Sequence, residues 1–160
     1  MSQFDPNVFL DATTTEVNEK RPLIPEENPS STDGFYDAQI GEITFEGGTI
    51  EKGDNAGKPW VSAVIPLRLQ LPAELQAMGL PDSFQLTDRA FLDLKEDGRT
   101  MDMGKGKNRA QRNYREATGQ NVAGEPWAWR MLTGKMVKVQ IKHDMYKETV
   151  QEKVKNVFPS

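Results

Sequence analysis

The residues most able to do chemistry lie between Gly104 and Lys142. Nine Lys/Arg side chains fall there, at positions 105, 107, 109, 112, 115, 130, 135, 138 and 142, against two acids, Glu116 and Glu125. The first five, Lys105, Lys107, Arg109, Arg112 and Arg115, occupy eleven residues with no acid among them. A helix that only needs solubility mixes charge signs to gain i,i+4 pairs. A run of one sign points instead to phosphates, and Gly104 and Gly106 can expose backbone N–H groups at the helix start. Trp127, Trp129 and Arg130 follow, then Lys135 and Lys138 on a strand pattern, with Tyr146 further on and Trp60 upstream. Cations interleaved with flat rings suit a polyanion whose bases can stack, at roughly 1–3 kcal/mol per base. Each residue also has a plainer reading. Exposed Lys and Arg commonly form a solvated face, and aromatic rings are core residues first. At least one of Trp127 and Trp129 is expected to be structural, and Tyr114 to pack the helix on the sheet.

Several other chemistries are excluded. With no cysteine there is neither a disulfide nor a thiolate metal site, and His143 alone cannot build a multi-histidine centre. Between Gly98 and Lys105 the spacing departs from a nucleotide-binding P-loop, and Gly106 stands where Ser or Thr should hold magnesium. Asp88, Asp93, Glu96, Asp97 and Asp102 lack a two-metal spacing and are interleaved with Lys95 and Arg99. No nucleophile-and-base pairing is readable. The expectation is a protein without catalytic residues, metal or cofactor, with a magnesium-dependent nuclease as a minor alternative.

The formal net charge of −4 conceals a segregation. Residues 1–60 carry twelve acids and four bases, whereas residues 61–160 carry sixteen bases and twelve acids. Local field matters more for binding than the total. Residues 1–33, with Pro6, Pro22, Pro25 and Pro29 and no helix or strand period, read as a flexible acidic N-terminal arm. Its Phe9-Leu10 pair could dock on its own domain or on a second copy. Residues 34–160 read as a single folded domain. Absence of a membrane-span pattern and of a signal-peptide layout predicts a protein of the cytoplasm, with no membrane partner.

The elements that must position these residues are mostly strands. Tyr36, Ala38 and Ile40 alternate, Gly41 interrupts, and Ile43 and Phe45 continue in the opposite phase, a strand with a bulge. Pro59 to Leu71 is the clearest strand, its apolar alternation running from Val61, with Pro66 on the other face predicting an edge or a kink. Pro72 to Gly79 reads as a short helix. Ser83 to Leu94 is a third strand. Lys105 to Thr118 has helical spacing, Ala110, Tyr114 and Ala117 sharing a face. Gly134 to His143 and Thr149 to Phe158 form a closing hairpin. Five or so short strands, with one helix between the third and fourth and a short second helix, predict a mainly β fold, a small β-barrel. A sandwich or another α+β arrangement is the alternative.

The run Gly134-Lys-x-Val-x-Val-x-Ile141, with Tyr146 and Val154-x-x-Val157-x-Pro159, resembles the closing hairpin of phage-encoded OB-fold proteins. These are small β-barrel single-stranded-DNA-binding proteins of bacteriophage replication and recombination. The opening Phe4-Asp-Pro…Phe9-Leu-Asp-Ala-Thr-Thr-Thr15 and the block Gly106-Lys-Asn-Arg109…Tyr114-Arg-Glu-Ala117 also resemble phage proteins of similar length. The resemblance covers about half the chain. It implies an OB-like barrel that coats single-stranded DNA in the cytoplasm of a bacterial host, alone or as an oligomer, alongside phage replication or recombination proteins. Two features depart from the pattern. Such proteins often end in an acidic tail, whereas this chain ends Val157-Phe-Pro-Ser160, and the basic helix is longer than a plain OB-fold linker requires. The rival expectation is a virion or assembly component whose N-terminal arm makes subunit contacts.

Overall fold

The computed structural model describes residues 4–160. Six strands form one antiparallel sheet: β1 (Tyr36–Ile40), β2 (Thr44–Thr49), β3 (Pro59–Gln70), β4 (Ser83–Phe91), β5 (Met136–Tyr146) and β6 (Thr149–Pro159). The sheet path is β2-β3-β1-β5-β6, with β4 paired to β3 as well. Three short helices accompany it: α1 (Pro6–Asp11), α2 (Ala73–Gln76) and α3 (Arg109–Ala117); a 3₁₀ turn spans Trp129–Leu132.

Gly41 and Pro66 explain why one expected strand is two. Along β3, residues 59–64 pair with β2 and residues 67–69 pair with β1. Pro66 lies in the gap, and the Gly41 N–H donates to its carbonyl at 2.8 Å. A Cβ at Gly41 would stand 3.0 Å from Pro66 Cγ. The bend therefore needs glycine on one strand and tolerates a proline on the other, because no β1 or β2 partner is in register with it. Pro66 is thus inside the sheet, opposite Thr87 of β4, rather than on an edge strand.

The fold is mainly β as expected, but the expected barrel does not close. β4 and β6 approach each other without sharing a ladder, so the sheet is open. Helix α3 occupies that seam: it packs on β6, and the Tyr114 hydroxyl reaches across to Asp88 of β4 at 2.6 Å. The helix falls between the fourth and fifth strands, since the bent first strand counts twice.

The core follows the period-two pattern. Ile65, Leu67 and Leu69 of β3 meet Ile40 of β1 and Val137 and Val139 of β5, all essentially without exposure. Each such side chain contributes about 1.5–3 kcal/mol through burial. Residues 4–20 are exposed throughout. Beyond them the chain lies against β5 and β6. Ile24 is fully buried, its N–H donating to Glu152 Oε2 at 2.9 Å. Arg21 donates to both Glu152 oxygens, at 2.6 and 2.8 Å, and Tyr36 donates to the Pro25 carbonyl at 2.7 Å. The packed part of the chain therefore begins ahead of residue 34.

Candidate nucleic-acid interface

Asn108 decides where the basic segment goes. Its backbone sits at φ 51, ψ 52, left-handed, a conformation that asparagine tolerates better than most non-glycine residues. The side chain is buried and fully engaged. Its amide donates to the Asp93 carbonyl at 3.0 Å and the Asp102 carbonyl at 2.9 Å, and its Oδ1 accepts from the Asp93 N–H at 2.9 Å. The Asn108 N–H donates to Asp93 Oδ2 at 2.6 Å. Two residues before it, Gly106 takes φ 78. The helix expected from Lys105 accordingly starts at Arg109, and Lys105 and Lys107 stand on a loop stitched to the end of β4.

This arrangement brings all five leading cations together. Lys105, Lys107, Arg109, Arg112 and Arg115 line one pocket of about 460 Å³, with Gly104, Gly106, Asn108, Gln111 and Asn121. No acid is among the lining residues. Among the described residues the five make one ion pair, Arg112 with Glu116 at 4.0 Å. Asn108 makes no side-chain cap bond to the helix start, which leaves that positive end facing the same space.

One aromatic group touches the pocket lining. The Arg115 guanidinium lies 4.8 Å from the centre of the half-buried Trp127 ring, whose Nε1 donates to Gln120 Oε1 at 2.8 Å. Behind Trp127, Trp129 packs 5.5 Å away and meets Phe45 edge-on at 5.9 Å. At 7% exposure Trp129 belongs to the core and offers no open face. Trp60 and Phe91 meet at 5.8 Å on the face of the sheet away from the core, and neither lines the pocket. Gly48 is paired with Trp60, and a Cβ there would stand 2.8 Å from the indole Nε1. Phe91 is 70% exposed and lies two residues before Asp93, the anchor of Asn108. Sequence reasoning missed Phe91, because alternation along β4 assigns it only to the polar phase. It also missed Asn108 and Gln111, for which no periodic signal exists.

The remaining expected site residues do not join this group. Arg130 lines a separate depression with Glu42, Phe45 and Trp129. Lys135 is exposed just before β5, and Lys138 is paired with Asp33 at 2.8 Å. That bond, first among several, holds the Asp33 carboxyl well below its ordinary range. Tyr146 is exposed at the tip of the β5–β6 hairpin beneath the Lys147 ammonium. None of the four lines the basic pocket.

The acids that prompted the nuclease alternative are used locally. Asp88 is half-buried beside Tyr114, and burial raises its pKa against the opposing Tyr114 hydrogen bond. Asp93 holds Asn108, Asp97 caps its own turn through Thr100, and Asp102 accepts from the Gly104 N–H. Among the described residues no group of three or more His, Asp or Glu side chains is placed to hold a metal ion. Nor, among those residues, is any helix long and apolar enough to cross a membrane. A scan against protein-family models finds no match to the chain, and a search of curated proteins finds none either.

Proposed function

We propose that this protein binds single-stranded DNA without sequence preference and without catalysing a reaction. The observation that carries the proposal is the convergence of Lys105, Lys107, Arg109, Arg112 and Arg115 on one acid-free pocket. Aromatic groups add to the case: Trp127 stacks on Arg115 of the pocket lining, and Trp60 packs with Phe91 on the outer face of the sheet. In this reading the cations neutralise phosphates, while Trp60, Phe91 and the open part of Trp127 receive bases. Trp129 supports Trp127 from behind.

The strand pairing supports an OB-like reading of the fold. A first strand bent at Gly41 pairs with both β3 and β5, β4 adds to β3, and a helix precedes the closing hairpin. That is the connectivity of an OB barrel with the ladder between β4 and β6 unformed. On this reading, and on the resemblance of the hairpin and opening segments to phage proteins, the protein coats single strands during bacteriophage DNA replication or recombination. It would do so in the host cytoplasm, beside phage replication or recombination proteins.

A second reading has one observation in its favour. Phe4, ahead of the exposed α1, stacks on Phe9 at 5.8 Å, and Leu10 is 79% exposed. An apolar cluster that no other described residue covers suits an assembly protein that docks this segment on another subunit.

Tryptophan fluorescence separates the two. Titration with oligo-dT should quench emission, duplex of equal length should quench less, and higher salt should weaken both. Unchanged emission at low salt with every DNA would reject DNA binding and leave the assembly reading ahead.

A further inference from the structure

We infer that the pocket between the 103–107 loop and the first turns of α3 is a seat for a phosphomonoester, the terminal phosphate of a DNA strand or of a free nucleotide. The inference rests on the DNA-binding reading and sharpens it, by separating the end of a strand from its interior.

Three observations converge. The first is charge density. Five cations surround one concavity, while the neighbouring sheet face carries Arg89 already paired to Glu46 at 2.6 Å. A diester running across both surfaces brings one negative charge per nucleotide, whereas a phosphomonoester brings about −1.5 to −2 at neutral pH. The crowded cations match the second better than the first.

The second observation is a pair of orphaned polar atoms. Gln111 is 2% exposed and lines the pocket, and its Oε1 has no hydrogen-bond partner among the described residues. Its Nε2 has only a long contact, 4.0 Å, to Met103 Sδ. Arg115, on the same side of the helix one turn later, has an unpartnered buried Nε. Buried polar groups are nearly always satisfied, so an acceptor and a donor left unpartnered on two pocket-lining residues match a ligand offering both. A nucleotide does: phosphate oxygens accept from Arg115, and an N–H of the base edge donates to Gln111.

The third observation is size. About 460 Å³, bordered by the loop, the helix start and Asn121 and open on one side, has room for one nucleotide. The helix start itself, uncapped by Asn108, adds N–H groups to the phosphate side.

The test compares three oligo-dT strands of one length, with a 5′-phosphate, a 3′-phosphate or hydroxyls at both ends. Affinities for the full chain are measured by fluorescence anisotropy at fixed salt, with dTMP as competitor. One phosphorylated end should bind about tenfold tighter than the hydroxyl strand, the gain of one strong charge-assisted contact. Added dTMP should erase only that increment, and Gln111→Leu and Arg112→Gln should each reduce it. Which phosphorylated strand gains identifies the polarity. A dTMP effect without preference for either phosphorylated strand assigns the seat to free nucleotide. Equal affinity for all three strands, with no effect of dTMP, would overturn the phosphomonoester seat and leave general DNA binding standing. If no strand binds, DNA binding itself fails. Calorimetry with dTMP alone then decides the seat, supporting it if wild type binds and Arg112→Gln does not, and overturning it if neither binds.

Discussion

Replacing Asn108 tests how the sheet holds the basic loop. Asn108→Ala removes two hydrogen bonds donated by the amide and one accepted by Oδ1, all to backbone groups of Asp93 and Asp102. At about 0.5–1.5 kcal/mol net each, that loss totals roughly 1.5–4.5 kcal/mol. Alanine must also hold the left-handed backbone, at about 1 kcal/mol. Part of the network is solvent-accessible, so the expected destabilisation is about 3 kcal/mol in urea unfolding. For a chain of this size that lowers Tm by roughly 10 °C. Asn108→Gly removes the same bonds without the backbone penalty, and should be about 1 kcal/mol more stable than the alanine variant. Both variants keep every charge, yet both should bind oligo-dT more weakly, because the Lys105–Lys107 loop loses its anchor. An alanine variant within about 0.5 kcal/mol of wild type would refute the reasoning. So would a glycine variant no more stable than alanine.

Two further perturbations address the clamp and the core. The Arg21–Glu152 bond joins a 41% exposed side chain to a 4% exposed one. Removing Arg21 leaves a buried carboxylate, and after discounting for the exposure of Arg21, Arg21→Ala should cost about 1–3 kcal/mol. Burial alone would raise the pKa of Glu152, but Arg21 and the Ile24 and Glu152 N–H groups hold it below its ordinary 4.5. The stabilisation is therefore complete above pH 4.5 and is lost as pH falls through the lower folded-state value. Unfolding measured from pH 7 to 3 should show that acid loss in wild type and a flatter profile in Arg21→Ala; parallel profiles would contradict it. Asp88 behaves in the opposite sense. Its raised pKa means that ionising it costs stability, a cost absent below its ordinary 3.8 and incurred as pH rises through the folded-state value. Asp88→Asn should match or exceed wild-type stability at pH 7, while Tyr114→Phe, which strips the carboxylate of its O–H donor, should lose about 1–3 kcal/mol. Thermal melts of the two variants moving in the same direction would count against this assignment.

Much of the fold could be read from alternation. β3 and β5 carry a clear period of two, β6 changes phase at a bulge opposite Gln140 and Ile141, and Lys147 and Glu148, both at positive φ, close the hairpin where the pattern pauses. What periodicity could not carry is closure. Whether the edges of a sheet meet depends on what sits between them, and here Tyr114 and α3 do. The helix start was misplaced because Lys105 and Lys107 fit helical spacing, whereas the left-handed backbone at Asn108 is enforced by bonds to Asp93, fifteen residues away. The docked segment around Ile24 was illegible for a similar reason: Glu152, its anchor, is 131 residues from Arg21 in sequence. The basic run itself was plain in the sequence, since sign uniformity needs no tertiary information. Which indoles stay open was not, because Trp127 and Trp129 differ only in what covers them.

The most direct test of the central claim is the salt dependence of oligo-dT binding. If the five cations neutralise about five phosphates, log K should fall against log salt with a slope near −3.5 for a single strand. Replacing Lys105 and Lys107 with glutamine should bring that slope close to −2. A wild-type slope near zero, or one unchanged by the double substitution, would contradict the account.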